Sequence, residues 1–142
     1  MRQRHSVHQE IEATKSMNDS DLNCKCCGEM GFDVDFVNLV RNFMFACNVE
    51  IGHEPKINSG YRCSKHNEDV SEDHSPDGPH TEGAIDVQVY GWDCMKVIKI
   101  ALAFGFTGIG INQQGPFASR FVHLDKVPAI PGRRPRPWVW SY

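Results

Sequence analysis

From Asp33 onward the apolar residues Val34, Phe36, Val37, Val40, Phe43, Met44 and Cys47 recur at steps of three and four. That spacing predicts one buried face of an amphipathic helix ending near Cys47. Residues 55–61 follow as a short strand entering a glycine turn. Residues 64–79 are polar and close on Asp73-His74-Ser75-Pro76-Asp77-Gly78-Pro79, which predicts a long loop with turn chemistry. In residues 84–90 the period changes to two, with Ile85, Val87 and Val89 on one face and Ala84, Asp86, Gln88 and Tyr90 on the other. This is a strand with its apolar set toward a core and Asp86 turned away from it. Helical spacing returns over residues 92–104 through Met95, Ile98 and Leu102, with Gly105 as the stop. Residues 108–111 and 121–124 are two more short strands, joined through residues 113–119. The order predicts an α+β domain, a small antiparallel β-sheet packed against helices.

Both ends depart from this pattern. Residues 1–21 have no hydrophobic period and read as a flexible N-terminal arm, leaving residues 22–142 as the domain. The tail, residues 128–142, is rich in Pro and Arg and ends Trp138-Val139-Trp140-Ser141-Tyr142. Trp138 and Trp140 are expected to cover an edge of the core, with a substrate groove as the other reading. Arg133, Arg134 and Arg136 could meet an anionic surface, but a solvated tail is the simpler reading.

Composition narrows the class. The chain has 142 residues, enough for one domain with a sizeable core. Its formal charge of −3 gives no electrostatic case for nucleic acid. No apolar run is long enough for a membrane span, and the N-terminus lacks the apolar stretch of a signal peptide. Six cysteines, Cys24, Cys26, Cys27, Cys47, Cys63 and Cys94, leave several states open. Cys24-Lys25-Cys26-Cys27 is tighter than the usual zinc knuckle, and no second paired cluster follows it. Free thiols are therefore expected there, with a disulfide (for instance to Cys63) or a structural zinc as alternatives. Cys47 and Cys94 read as small buried hydrophobes.

The chemistry-bearing residues lie around the second and last strands. His80 sits just ahead of the strand carrying Asp86, and His123 lies on the last strand with Asp125 two residues on. Two histidines and a carboxylate from separate elements can hold zinc and leave a fourth position open. Such an ion activates water and polarises a carbonyl. A lone histidine is ordinarily a satisfied core or surface residue, but a carboxylate in so apolar a strand needs a partner. His53 and His74 have no partner that spacing identifies, and His5 and His8 belong to the arm.

Four segments, taken in order, carry a resemblance. They are Ser59-Gly60-Tyr61-Arg62-Cys63-Ser64-Lys65-His66-Asn67, Pro79-His80-Thr81-Glu82-Gly83-Ala84-Ile85-Asp86-Val87, Gly108-Ile109-Gly110, and Phe121-Val122-His123-Leu124-Asp125. Together they resemble the M15 zinc peptidases, which include D-Ala-D-Ala carboxypeptidases and phage endolysins that cut peptidoglycan stem peptides. The single-domain phage and prophage members are similar even to the Arg-Pro-Arg-Pro and Trp-Ser-Tyr ending. The resemblance spans residues 22–142 and implies a hedgehog/DD-peptidase-like fold with one Zn2+ on the sheet face. It further implies that His80, Asp86 and His123 hold the ion and that Arg62 steadies the oxyanion. His66 and Asn67 would organise the loop, and the Cys-rich segment at residues 24–27 would be structural.

Three departures from the family pattern bear on the site. Five residues separate His80 from Asp86 where the family usually has six, and a slipped register would turn Asp86 away. Gly78 stands where a serine is common, two residues before the first histidine. Arg120 stands three residues before His123, where many relatives have the general-base carboxylate. Asp125 is the best substitute, either accepting a proton or holding His123 in place. Glu82 and Asp77 are weaker candidates.

The expected protein is thus a zinc metallopeptidase acting on peptidoglycan stem peptides, a monomer made in a host cytoplasm and acting at the cell wall. The sequence does not set which bond is cut. One rival is a zinc-containing wall-binding or virion structural module without turnover, and another is a disulfide-stapled extracellular binding domain.

Overall fold

The computed structural model describes residues 17–142. Most of the expected arm, including His5 and His8, lies outside the described residues. Its last residues join the domain: Met17 packs against the core, and Asp19–Leu22 form a 3-10 turn that buries Leu22. Asp19 pairs with Arg41, at 2.7 Å.

Among the described residues four helices and five strands follow in the order α1 (Val34–Ile51), β1 (Lys56–Ser59), α2 (Ser64–Val70), α3 (Pro79–Glu82), β2 (Ala84–Gln88), α4 (Gly91–Ala103), β3 (Gly108–Asn112), β4 (Phe121–Asp125) and β5 (Trp138–Ser141). Asp33 caps α1 by accepting the Phe36 N–H at 2.8 Å. Gly52, left-handed at φ 84°, ends the helix one turn beyond the expected limit. The apolar stripe of α1 is buried as its spacing predicts, from Phe36 to Cys47.

Residues 64–79 are not one long loop. Their first half is α2, capped by Cys63, whose sulfur accepts the His66 N–H at 3.4 Å. Only Asn67 of that helix is buried, so it carries no apolar stripe for a periodicity argument to detect.

The strands form one sheet in the order β1-β2-β4-β3-β5. All neighbours are antiparallel except β3 and β5, which run parallel. The tail adds an edge strand beside β3 in the parallel direction, and Trp138 and Trp140 stand on the face of the sheet away from the core rather than over its edge. One face of the sheet presents Ile85, Val87, Ile109, Val122 and Leu124, which join Val40, Phe43, Met44 and Val97 from α1 and α4 in a single core. Each fully buried side chain of this kind contributes about 1.5–3 kcal/mol.

The opposite face is built in rows. Ser59, Asp86, His123, Gly110 and Trp140 stand side by side across all five strands. The adjoining row is Ala84, Asp125, Gly108 and Trp138. Asp86 is thus directly opposite His123, and the five-residue spacing from His80 leaves it on that face. In Gly108-Ile109-Gly110 the isoleucine enters the core while both glycines leave space on the other side. A Cβ at 110 would stand 2.6 Å from the Trp140 ring, and one at 108 would fall on the Asp125 carboxylate.

Gly108→Ala is expected to destabilise the fold by about 1–3 kcal/mol, because Asp125 is pinned and the added methyl has nowhere to go. A urea midpoint equal to wild type would contradict this packing.

A candidate metal centre on the sheet face

His80 comes from α3, a single turn that starts at Pro79. The Gly78 N–H donates to the Thr81 hydroxyl at 3.2 Å, and that hydroxyl donates to the Gly78 carbonyl at 2.7 Å. Gly78 also leaves room for Asn67, whose amide donates to the Ser75 carbonyl at 2.8 Å and closes the loop between α2 and α3. The Arg62 N–H donates to the His80 carbonyl at 2.9 Å, and the His80 Nδ1–H donates to the Gly60 carbonyl at 2.8 Å. His80 is therefore fixed by its backbone and by its ring.

The ligating atoms of His80, Asp86 and His123 all lie within 4.8 Å of one another. His80 Nε2 is 3.3 Å from Asp86 Oδ2, and His123 Nδ1 is 3.1 Å from Asp86 Oδ1. Arg62 reaches the same carboxylate, Nη2 to Oδ2 at 3.6 Å, while its Nε donates to the Ser59 hydroxyl at 3.2 Å. The other ring nitrogen of His123, Nε2, donates to Asp125 Oδ2 at 2.8 Å.

Each imidazole thus spends one nitrogen on a carbonyl or carboxylate. The remaining nitrogens, His80 Nε2 and His123 Nδ1, face the Asp86 carboxylate across a shared space. With both rings neutral, two imidazole nitrogens and a carboxylate make a ligand set that fits zinc.

Electrostatics follow from the same contacts. Burial pushes the His80 pKa down, against the pull of Asp86, which favours the neutral ring a metal ligand needs. Burial opposes ionisation of Asp86, yet His80 and His123 outweigh it and hold the carboxyl well below the usual range. Burial would lower the His123 pKa, but its hydrogen bonds to Asp125 and Asp86 raise it.

Asp125 is fully buried. Arg136 grips it with two donors, Nε to Oδ1 at 2.9 Å and Nη2 to Oδ2 at 2.7 Å. Burial opposes its charge, but His123 and Arg136 bring its pKa down to about 2. Trp140 lies beside His123 with ring centroids 5.1 Å apart, and Arg136 stands over its indole at 5.3 Å. Arg120 points elsewhere, to the Gly115 carbonyl and over Phe117. Arg136 and Trp140 complete the surroundings of His123, and no motif spacing pointed to either. An open cleft of ≈ 840 Å³ is lined by Pro79 and Thr81, on either side of His80, and by Arg136, Trp138 and Trp140, but not by His80, Asp86 or His123 themselves.

The His–Asp–His cluster on the polar face of the mixed sheet, backed by a carboxylate on one imidazole, could hold a metal ion. The family model described as Peptidase M15 matches residues 15–125, and the chain belongs to that family. It is accordingly a peptidase, from a family whose members depend on zinc. No curated protein and no solved structure matches the chain. No helix among the described residues is long and apolar enough to cross a membrane.

Two arginine substitutions separate the inner and outer contacts of the tail. Arg136→Met leaves Asp125 as a buried charge with a lost partner and is expected to cost about 3–5 kcal/mol. Arg134→Ala breaks a pairing with Glu82, whose side chain is 45% exposed, and is expected to cost less than about 1 kcal/mol. Urea denaturation of both variants checks the order, and equal losses would refute it.

Proposed function

We propose that this peptidase hydrolyses amide bonds of peptidoglycan stem peptides with one zinc ion held by His80, Asp86 and His123. The observation that carries the reading is the convergence of three lone-pair donors on one space, each imidazole oriented by its other nitrogen. When bound, zinc there lowers the pKa of a water to about 7 and polarises the scissile carbonyl.

The chain's own residues supply the rest. Arg62, beside the cluster and backed by Ser59, steadies the oxyanion that develops on the substrate carbonyl. Asp125 keeps the proton of His123 on Nε2, which leaves Nδ1 free to ligate. That is the positioning role of the two expected for it, and it rests on the two donors from Arg136 and complete burial. The peptide substrate lies in the adjoining cleft, whose volume is within the ordinary range for ligand sites. Resemblance to carboxypeptidases and endolysins of phage and prophage supports the peptidoglycan assignment and action at the cell wall.

Arg120 favours a second reading. With an arginine at the usual general-base position, the site could hold zinc and bind wall peptides without turning them over, as a binding or virion structural module.

Purified peptidoglycan and zinc analysis separate these. Wild type is expected to release stem peptides, and His123→Ala to lose that release together with the ion at this site. Arg62→Ala is expected to keep zinc and lose about 10²–10³ in kcat. Asp125→Asn is expected to weaken zinc binding by about 10–100-fold. Wall binding with zinc bound but no release by wild type would assign the second reading. Equal release by wild type and His123→Ala would overturn the first.

A further inference from the structure

A second cluster of metal-ligating side chains lies outside this site. The sulfurs of Cys24, Cys26, Cys27 and Cys63 all lie within 4.8 Å of one another. Cys26 and Cys63 are the pair at 3.5 Å. Around a tetrahedral zinc with bonds of about 2.3 Å, sulfurs stand roughly 3.8 Å apart. The four atoms are therefore grouped on the scale of one coordination sphere.

The backbone is shaped for that grouping. Two residues separate Cys24 from Cys27, on a turn closed by the Gly28 N–H donating to the Cys24 carbonyl at 2.9 Å. Gly28 is left-handed at φ 76°, and the Cys24 N–H returns to the Glu29 carbonyl at 2.7 Å. Two N–H groups point at sulfur: Cys63 N–H to Cys24 Sγ and His66 N–H to Cys63 Sγ, both at 3.4 Å. Hydrogen bonds of this kind stabilise thiolate charge around metal–sulfur centres.

We propose that Cys24, Cys26, Cys27 and Cys63 form a closed four-thiolate zinc site with a structural role, distinct from His80–Asp86–His123. Four protein ligands leave no open position, as in structural zinc sites. The ion clasps the segment at residues 24–27 to the loop that carries Arg62. Three successive N–H groups of that loop already fasten to three places: Tyr61 to the Leu22 carbonyl, Arg62 to the His80 carbonyl and Cys63 to the Cys24 sulfur. Holding Cys63 therefore holds Arg62 and the Gly60 carbonyl that receives His80.

The test is metal content and cobalt spectroscopy of the full chain. Wild type is expected to bind about two zinc ions, and His123→Ala to keep one. Cobalt in His123→Ala should show intense thiolate-to-metal charge-transfer absorption. That band should vanish in a Cys26→Ser, Cys63→Ser double variant, with one ion kept when His123 is intact. If that double variant does not fold, alkylation of wild type decides, with these cysteines protected until a chelator is added. Loss of all metal from His123→Ala, or fewer than six thiols in protein unfolded without reductant, would overturn the proposal. Peptide release is not part of the readout, so failure of the peptidase reading leaves this result interpretable.

Discussion

Asp86 is the constraint around which the polar face of the sheet is arranged. It is a carboxylate, 13% exposed, on a central strand whose other face is the hydrophobic core. Removing such a charge from water costs several kcal/mol unless partners replace the water. The partners come from three directions: His123 across the β2–β4 ladder, His80 from the turn ahead of β2, and Arg62 from the loop after β1. A group that must be satisfied from three segments fixes the relation of those segments. The same convergence groups atoms that could hold a metal ion, because two of the three partners can offer lone pairs to a shared cation.

Space for this arrangement is created by what β3 lacks. Gly108 and Gly110 present no side chains on the polar face, so the Asp125 carboxylate and the Trp140 ring occupy it. The tail then becomes part of the site: β5 lies along β3, and Arg136 reaches in to neutralise Asp125. This divides the basic cluster of the tail. Arg136 is spent on a buried ion pair and Arg134 on Glu82, so neither is a free charge awaiting an anionic surface.

What the sequence revealed depended on the range of the interaction. Period two in residues 84–90 placed Asp86 opposite the core, and the three-and-four spacing of residues 34–47 placed α1 on it, because each pattern is local. Asp125 was readable as a face-mate of His123 for the same reason, two residues along one strand. Its partner Arg136 was not, since the tail returns to it only through the parallel β3–β5 pairing. Helix α2 was missed because it buries a single polar residue, and Cys63 was named only as a possible disulfide partner because the other cysteines precede it by 36 to 39 residues. A close pairing search along the chain sees Cys24 and Cys27 but not the loop that completes them.

His80 poses a different problem from Asp86 and His123. Those two are locked by ladder register, where a slip of one residue would turn either away. His80 has only a four-residue helix beneath it, too short to be rigid by itself. Its position is instead borrowed from residues 60–62, which take its ring N–H and give an N–H to its carbonyl. That loop is anchored in turn at Leu22 and Cys24. The accuracy of the candidate metal centre therefore depends on a chain of backbone hydrogen bonds leading away from the sheet to the cysteine cluster. Rigidity supplied at that far end reaches His80 and Arg62 together, and a site assembled from one loose and two fixed ligands is where such a brace has most effect.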